Sequence, residues 1–235
     1  CLLSRGLGDV YKRQNYQRGA ILCNLFLADE LNRATSRTQS ALLQAMEEGE
    51  VTVDSLTYPV PRPFVVIATQ NPSGAKGTQL LPDSQLDRFM IRLSMGYPDP
   101  SAEAEMIRRK QQGVSLEMVQ QVVSRGELVG LIAQVEQVYI KDNLIDYIVR
   151  LCSLTRRDSR ILQGASPRAA LSLTALAKAT AWIQGRDYVI PSDIRFVFAD
   201  AIQHRLIWAQ ENQSYSRQRA VVDELFASVK APEIR

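Results

Sequence analysis

The sequence predicts an α/β domain built on a parallel sheet, followed by an all-α domain. Two apolar runs in the first half, residues 21–28 and 64–69, each end in polar residues, as buried parallel strands do. Beyond the breaker cluster at 97–100 (YPDP), apolar residues recur only at three- and four-residue intervals, which is the helical spacing. We therefore expect the α/β part to end near residue 98.

The first strand and helix have clear local signals. Residues 21–28 (ILCNLFLA) are predicted to form a strand that is buried on both faces of the sheet. Thr35 and Ser36 are candidate caps for a helix over 38–48, in which apolar residues repeat at helical spacing, and Gly49 can end this helix. This segment is predicted to be an amphipathic helix.

The rest of the α/β part is predicted from turn residues and β-branched runs. Residues 51–58 indicate a short hairpin, and residues 64–69 (FVVIAT) indicate the second buried strand. A short helix at 86–89 and a third strand at 90–95 follow.

The second part is predicted to be a helical domain over residues 99–235. Its five clearest helices are 102–111, 125–138, 143–154, 166–184 and 192–207. We divide it into linker helices at 99–140, a bundle at 141–208 and a C-terminal helix within 209–235. The single histidine, His204, is expected on a helix surface rather than at a metal site.

The composition excludes several classes of protein. The 235 residues suffice for one large or two modest domains, and 46% hydrophobic with 23% charged residues argues against disordered, collagen-like and coiled-coil proteins. The net charge of +3 is too small to imply a polyanionic partner without a clustered patch. Three cysteines without a C-x-x-C spacing favour a reducing, cytoplasmic setting. No apolar run approaches the roughly 18 residues of a membrane span.

The first fourteen residues are predicted to be a non-native tail. They contain no initiator methionine and no apolar segment long enough for a signal peptide. A leading cysteine also occurs in lipidated mature proteins, but a fragment that carries a cloning or sequencing tail is the simpler interpretation. We therefore expect the partial α/β core to occupy residues 15–98.

Asp29 and Glu30 directly follow the first predicted strand. Four apolar residues followed by Asp-Glu match the Walker B pattern, in which an acid holds Mg²⁺ beside nucleotide phosphates and its neighbour polarises the attacking water. Acids at the carboxyl end of a parallel strand lie where open α/β sheets bind ligands. A solvated strand end is an equally good explanation of these two acids taken alone.

Three further side chains are candidates for the same chemistry. Asn71 follows the second strand and can orient a water or a phosphate, although an Asn-Pro turn also explains it. Arg88 is either a surface charge paired with Asp87 or an arginine finger for a neighbouring subunit. Arg168 follows a proline that marks the start of a helix.

Together these motifs resemble the MoxR family of AAA+ ATPases. The resemblance is carried by LADELNRATSRTQSALLQAMEEGEVTV (27–53), ATQNPSG (68–74), LLPDSQLDRFMIRL (80–93), YPDPSAEAEMI (97–107) and ASPRAAL (165–171), in the family's order. It implies a parallel-sheet AAA+ core followed by an all-α lid. It also implies a role for each candidate residue, namely Asp29 for Mg²⁺ beside ATP, Glu30 for water activation, Asn71 as sensor 1, Arg88 as arginine finger and Arg168 as sensor 2.

The resemblance further implies how such a protein works. Members of this family are similar to magnesium-chelatase ATPase subunits and form homo-oligomeric rings, usually hexamers. They act as chaperone-like remodelling engines, and many assist maturation or metal insertion in complexes that contain von Willebrand factor A domain proteins. The family's hairpin before sensor 1 would fall at about 51–63. A nucleic-acid partner is not expected.

One family motif is missing from the sequence. No G-x-x-x-x-G-K-[ST] occurs, and the nearest fragment, GAKGT at 74–78, has the wrong spacing. We therefore expect an incomplete core that lacks the Walker A strand and loop, a truncated gene, and no ATPase activity above background. The alternatives are a noncatalytic AAA+ subunit that supplies Arg88 to a neighbour and, less favoured, a DNA-dependent AAA+ motor.

Overall fold

The computed structural model describes residues 19–53, 56–71, 81–113, 119–210 and 214–233. The chain divides into two compact units, Cys1–Arg88 and Phe89–Arg235, which we call the sheet unit and the helical unit. The division lies ten residues before the boundary at 98 that composition predicts. The predicted tail at 1–14 and the fragment at 74–78 lie outside the described residues.

The sheet unit contains a parallel strand pair, one long helix and a hairpin. In chain order its elements are β1 (Leu25–Ala28), a 3-10 turn (Leu31–Arg33), α1 (Ser36–Glu48), β2 (Glu50–Val53), β3 (Leu56–Pro59), β4 (Val65–Ala68) and α2 (Asp83–Leu86). β1 pairs with β4 in parallel, so that Leu25 lies beside Val65 and Ala28 beside Ala68. β2 and β3 pair antiparallel, which confirms the predicted hairpin.

Local signals set the ends of α1. The Thr35 side chain accepts a hydrogen bond from the Thr38 amide, as a helix cap does. Gly49 ends the helix with a positive φ of 69°, a conformation that costs glycine least. Leu42 and Leu43 are buried between these ends. The predicted amphipathic helix is therefore confirmed.

One face of the β1–β4 pair is exposed. Its apolar residues Leu25, Leu27, Val65 and Ile67 have 62%, 64%, 44% and 51% of their surface accessible. The prediction of a strand buried on both faces is therefore wrong for the described residues. The continuous apolar run indicates two apolar faces, but it carries no information about whether a neighbour covers each face.

The predicted elements after β4 differ from the structure. The short helix is α2, at Asp83–Leu86 instead of 86–89, so Arg88 lies in the turn that follows it. Residues 90–95 form no strand with any described segment. Instead the Arg92 amide donates to the Asp200 carbonyl, and both residues belong to the helical unit. Backbone groups that find partners outside a sheet have no need of a strand neighbour.

The helical unit has six helices and two short strands in its described part. They are α3 (Pro100–Gln111), α4 (Arg125–Gln137), α5 (Asp142–Thr155), β5 (Ile161–Gln163), α6 (Pro167–Ile183), α7 (Pro191–Ile202), β6 (Ile207–Trp208) and α8 (Tyr215–Ser228). All five predicted helices are present, but the fifth ends at Ile202 instead of residue 207. The expectation that this part has no strands is wrong, because β5 and β6 pair antiparallel. Strands of two or three residues are too short to show an alternating pattern.

The core of the helical unit joins α5, α6, α7 and α8. α6 contributes a buried stripe that includes Leu173 and Ala177, each with 0% of its surface accessible. The Phe226 ring of α8 packs against the rings of Tyr147 and Phe198, at centroid distances of 6.0 and 5.1 Å. Within the described residues every helix is too short or too polar to cross a bilayer.

Candidate functional site

The carboxyl ends of β1 and β4 meet at one edge of the sheet. Their ladder continues one step past the strands, since the Thr69 amide donates to the Ala28 carbonyl at 3.0 Å and the Leu31 amide donates to the Thr69 carbonyl at 2.9 Å. This pairing fixes the backbone on both sides of Asp29 and Glu30. The structure thus brings the two acids to the edge at which the chain continues toward Asn71.

The Thr69 hydroxyl connects the two acidic residues. It donates to Asp29 Oδ1 at 2.6 Å and accepts from the Glu30 amide at 2.8 Å. One side chain of the second strand end therefore orients the carboxylate of Asp29 and holds the backbone of Glu30. Hydrogen bonds to a carboxylate are among the stronger ones in proteins, so this contact restricts the Asp29 rotamer.

Glu30 has an unusual backbone conformation. Its φ of 48° and ψ of 49° are left-handed, which is uncommon for a residue with a side chain. The Glu30 carboxylate pairs with the Arg33 guanidinium at 2.5 Å, and this pairing raises the pKa of Arg33. Both side chains are largely exposed, at 37% and 59%, so water competes with the ion pair.

Asn71 is held through its backbone by a buried asparagine. Asn32, with 3% of its surface accessible, donates from Nδ2 to the Asn71 carbonyl at 3.2 Å, and its Oδ1 accepts from the Asn71 amide at 3.4 Å. Two bonds to one residue fix its position better than one. The backbone of Asn71 at the sheet edge is therefore positioned by Asn32, which lies in the 3-10 turn after β1.

Arg88 lies at the end of the sheet unit. Its guanidinium pairs with Glu47 of α1, whereas the surface-charge interpretation predicts Asp87 as the partner. The Arg88 side chain is 31% exposed, so it is accessible from solvent while paired. Arg168 lies in the other unit, exposed in the first turn of α6, after the Pro167 that begins this helix.

The donor set at the sheet edge fits a magnesium ion that phosphates help to bind. Among the described residues no group of three or more His, Cys, Asp or Glu side chains converges as a metal cage. Asp29 is exposed, and Thr69 engages one of its oxygens. Mg²⁺ is commonly held by one or two carboxylates together with substrate phosphates and water, and a single accessible carboxylate suits that mode.

Sequence reasoning missed three residues of this edge, namely Thr69, Asn32 and Arg33. Thr69 is visible in the sequence as the first polar residue after the second strand, but placing it beside Asp29 requires the β1–β4 register, which the sequence does not specify. Asn32 and Arg33 act through a 3-10 turn of three residues, which has no clear sequence signal.

Two family models match the chain. Residues 7–91 match the ATPase family associated with various cellular activities (AAA), and residues 153–225 match the AAA lid domain. The first match includes Asp29, Glu30, Asn71 and Arg88, and the second includes Arg168. The order of the matches is that of the sheet unit and the helical unit.

Curated relatives extend this similarity over most of the chain. The uncharacterized protein YeaC of Bacillus subtilis is 39% identical over 92% of this chain and 68% of its own length. The chaperone MoxR1 of Mycobacterium tuberculosis is 40% identical over 80% of this chain, which spans 52% of that protein. The protein MoxR of Methylorubrum extorquens is 29% identical over 89% of this chain and 67% of its own length.

Solved structures agree with the relatives. A putative ATPase from Cytophaga hutchinsonii superposes with a TM-score of 0.84 at 36% identity, covering 92% of this chain and 69% of that one. A minichromosome maintenance (MCM) homologue from Methanopyrus kandleri superposes with a TM-score of 0.52 at 19% identity, covering 77% of this chain and 38% of that one. At that identity the second similarity concerns the fold alone.

Proposed function

The chain belongs to the MoxR family of AAA+ ATPases, and from this membership we propose that its sheet edge is the hydrolytic part of an ATP site that drives chaperone-like remodelling. The fold is that of the family, a parallel-sheet core followed by a helical lid. The observation that carries the proposal is the register of β1 and β4, because it delivers two acids and an asparagine to one edge.

The acids have distinct roles in this proposal. Asp29 would hold Mg²⁺, which when bound neutralises charge on the phosphates of ATP. Glu30 would accept the proton of the attacking water, since a carboxylate within hydrogen-bond reach serves as a general base. Thr69 supports both roles because its hydroxyl orients the Asp29 carboxylate and holds the Glu30 amide.

The remaining candidates stabilise charge or position water. Asn71, fixed by Asn32, would orient the attacking water at the same edge. Arg88 would act as an arginine finger toward the nucleotide of a neighbouring subunit, where its permanent charge stabilises the transferring phosphoryl group. Arg168 would contact nucleotide as sensor 2.

A fusion protein tests the proposal. The 235 residues contain no G-x-x-x-x-G-K-[ST], so we would join the phosphate-loop segment of a MoxR-family ATPase to the N-terminal side of this chain. We expect Mg²⁺-dependent phosphate release from the fusion and none above background from the chain alone. Glu30→Gln should lower kcat of the fusion at least ~100-fold and leave binding of a fluorescent ATP analogue intact. Glu48→Gln, an exposed carboxylate change on α1, is the matched control.

Two results would contradict the proposal. A fusion that binds ATP and turns it over equally well with Glu30→Gln would remove the assigned role of the acid. A fusion that binds ATP without any turnover would favour the noncatalytic subunit. Turnover by the unmodified chain that Glu30→Gln abolishes would instead refute the expected inactivity of this polypeptide.

The assembly and partners of the protein are part of the same proposal. We infer a homo-oligomeric ring, because an arginine finger acts on the nucleotide of another subunit. The inferred partner is a von Willebrand factor A domain protein, and metal insertion is the inferred outcome of remodelling. A cytoplasmic location fits the free thiols of Cys23 and Cys152. Sedimentation of the purified fusion with ATP and Mg²⁺ would test for the ring.

A further inference from the structure

The segment that follows Arg88 begins the helical unit, and its backbone is hydrogen-bonded to the rest of that unit. The Phe89 carbonyl accepts two hydrogen bonds, one from His204 Nε2 at 3.0 Å and one from Arg205 Nη2 at 2.7 Å. Three residues later the Arg92 amide donates to the Asp200 carbonyl at 3.0 Å. The residues between the proposed finger and α3 are therefore tied to the end of α7 and the turn after it.

The two donors are themselves held firmly. His204 and Arg205 are 4% and 5% exposed, in the 3-10 turn Gln203–Arg205 that follows α7. The Arg205 guanidinium also donates to the Ala201 carbonyl at 2.8 Å and to Ser172 Oγ at 2.9 Å. Because a buried charge is costly unless it is hydrogen-bonded, these contacts restrict the guanidinium to one position.

The imidazole of His204 is neutral in this environment. Burial, together with the nearby charges of Arg205 and Arg92, lowers the pKa of His204 to about 4. A neutral imidazole carries one N–H, and because the Phe89 carbonyl can only accept, that hydrogen must be on Nε2. The sequence places His204 on a helix surface, which is wrong, since His204 is 4% exposed and lies in the 3-10 turn after α7.

The division between the two units falls between Arg88 and Phe89. We propose that His204 and Arg205 are positioning residues for Arg88, because they hold the Phe89 carbonyl and thereby set the backbone from which the arginine is presented. The inference rests on the proposed function of Arg88 as an arginine finger. It adds a role for the helical unit, which holds the carbonyl of the residue after Arg88 in addition to carrying Arg168.

A spectroscopic test needs no substitution. His204 is the single histidine, so the full chain labelled with ¹⁵N-histidine gives signals from one imidazole. We expect the Nε2–H tautomer, a slowly exchanging Nε2 proton and no titration near pH 6.5. An Nδ1–H tautomer, or titration near pH 6.5, would overturn the hydrogen bond to Phe89.

Amide hydrogen exchange on the full chain tests whether these bonds hold the segment. His204→Leu and Arg205→Met remove a donor, whereas His204→Gln keeps a donor near the Nε2 position and Ser172→Ala removes only the bond between Arg205 and Ser172 Oγ. We expect exchange across 89–95 to become about tenfold faster in the first pair and to stay unchanged in the second. Exchange across α6 is the reference for an intact helical unit. Unchanged exchange in all four variants would overturn the proposal.

Turnover by the fusion distinguishes the proposed role of Arg88 as an arginine finger from the proposed positioning role of His204 and Arg205. We expect His204→Leu to lower kcat about tenfold with KM for ATP unchanged, and to add little to the loss caused by Arg88→Ala. If Arg88→Ala lowers kcat and His204→Leu does not, the positioning role fails and the proposed function stands. If Arg88→Ala leaves kcat unchanged, the arginine finger fails, and the positioning role fails with it even where exchange confirms the contact.

Discussion

The sheet unit and the helical unit are stabilised in different ways. Among the described residues, the largest fully buried side chains, such as Tyr147, Phe198 and Leu173, all belong to the helical unit. The β1–β4 pair exposes one apolar face, and its carboxyl-terminal edge is organised by hydrogen bonds between accessible groups such as Thr69 and Asp29. The helical unit therefore has the larger apolar core, whereas the edge of the β1–β4 pair is organised by polar contacts. Substitutions in the core of the helical unit should therefore mainly change stability, and substitutions at the sheet edge should mainly change activity.

The largest effect on stability is expected in the core of α6. Leu173→Ala should lower the free energy of unfolding of the helical unit by about 3–5 kcal/mol, because Leu173 is 0% exposed and its truncation leaves a cavity. Leu171→Ala, on the same helix but 73% exposed, should change it by less than about 0.5 kcal/mol. Denaturant-induced unfolding, monitored by tryptophan fluorescence, measures the free energy of unfolding of the helical unit, because both tryptophans lie in it. Equal losses in the two variants would contradict the assigned core.

Acid should weaken the helical unit through His204. The pKa of His204 in the folded protein, about 4, is below the unfolded value of 6.5, so the unfolded state binds the proton first. Stability is unaffected above pH 6.5 and falls by about 3 kcal/mol as the pH drops from 6.5 to 4. Unfolding curves of the wild type and His204→Gln at several pH values isolate this contribution. Parallel pH profiles for the two proteins would refute it.

A smaller effect on stability is expected at the sheet edge. Thr69→Val keeps the shape of the side chain but removes its bonds to Asp29 and to the Glu30 amide. Local opening at Glu30, measured by amide exchange, should become easier by about 1 kcal/mol, and kcat of the fusion should fall. Thr69→Ser keeps the hydroxyl and should behave like wild type. An unchanged kcat in Thr69→Val would show that the hydroxyl does not organise the acids.

The smallest effect on stability is expected from the exposed ion pair. Arg33→Ala should leave the unfolding midpoint unchanged within error, because both partners are in contact with water. Arg186→Ala in the helical unit is the contrasting variant, since it removes the partner of Asp193, which is 3% exposed. The unfolding midpoint of Arg186→Ala should be clearly lower than that of the wild type. A larger shift from Arg33→Ala than from Arg186→Ala would reverse the contrast between the units.

Sequence patterns predicted the elements whose signals are local. The caps at Thr35 and Gly49 and the proline before Arg168 mark helix ends through contacts within a few residues. The meeting of the acids with the segment of Asn71 was also predictable, because parallel strands that end in polar residues share an edge.

The features that sequence did not predict depend on partners far along the chain. His204 is buried and bonds to the Phe89 carbonyl, and residues 90–95 pair with no strand among the described residues, while the Arg92 amide bonds to Asp200. The role of Thr69 requires the β1–β4 register, which periodicity does not specify when both strands are uniformly apolar. The periodicity of a segment shows which of its faces are apolar, but it does not show which other segment packs against them.

The β1–β4 register also makes strand length a constraint on evolution and engineering. Thr69 and Asp29 each stand one step beyond strands of equal length that begin at Leu25 and Val65. Since side chains alternate between faces, deleting one residue from β4 would bring Gln70 to the level of Asp29 and turn the hydroxyl away. Insertions and deletions should therefore accumulate in the connections, while the two strands keep a fixed count of residues.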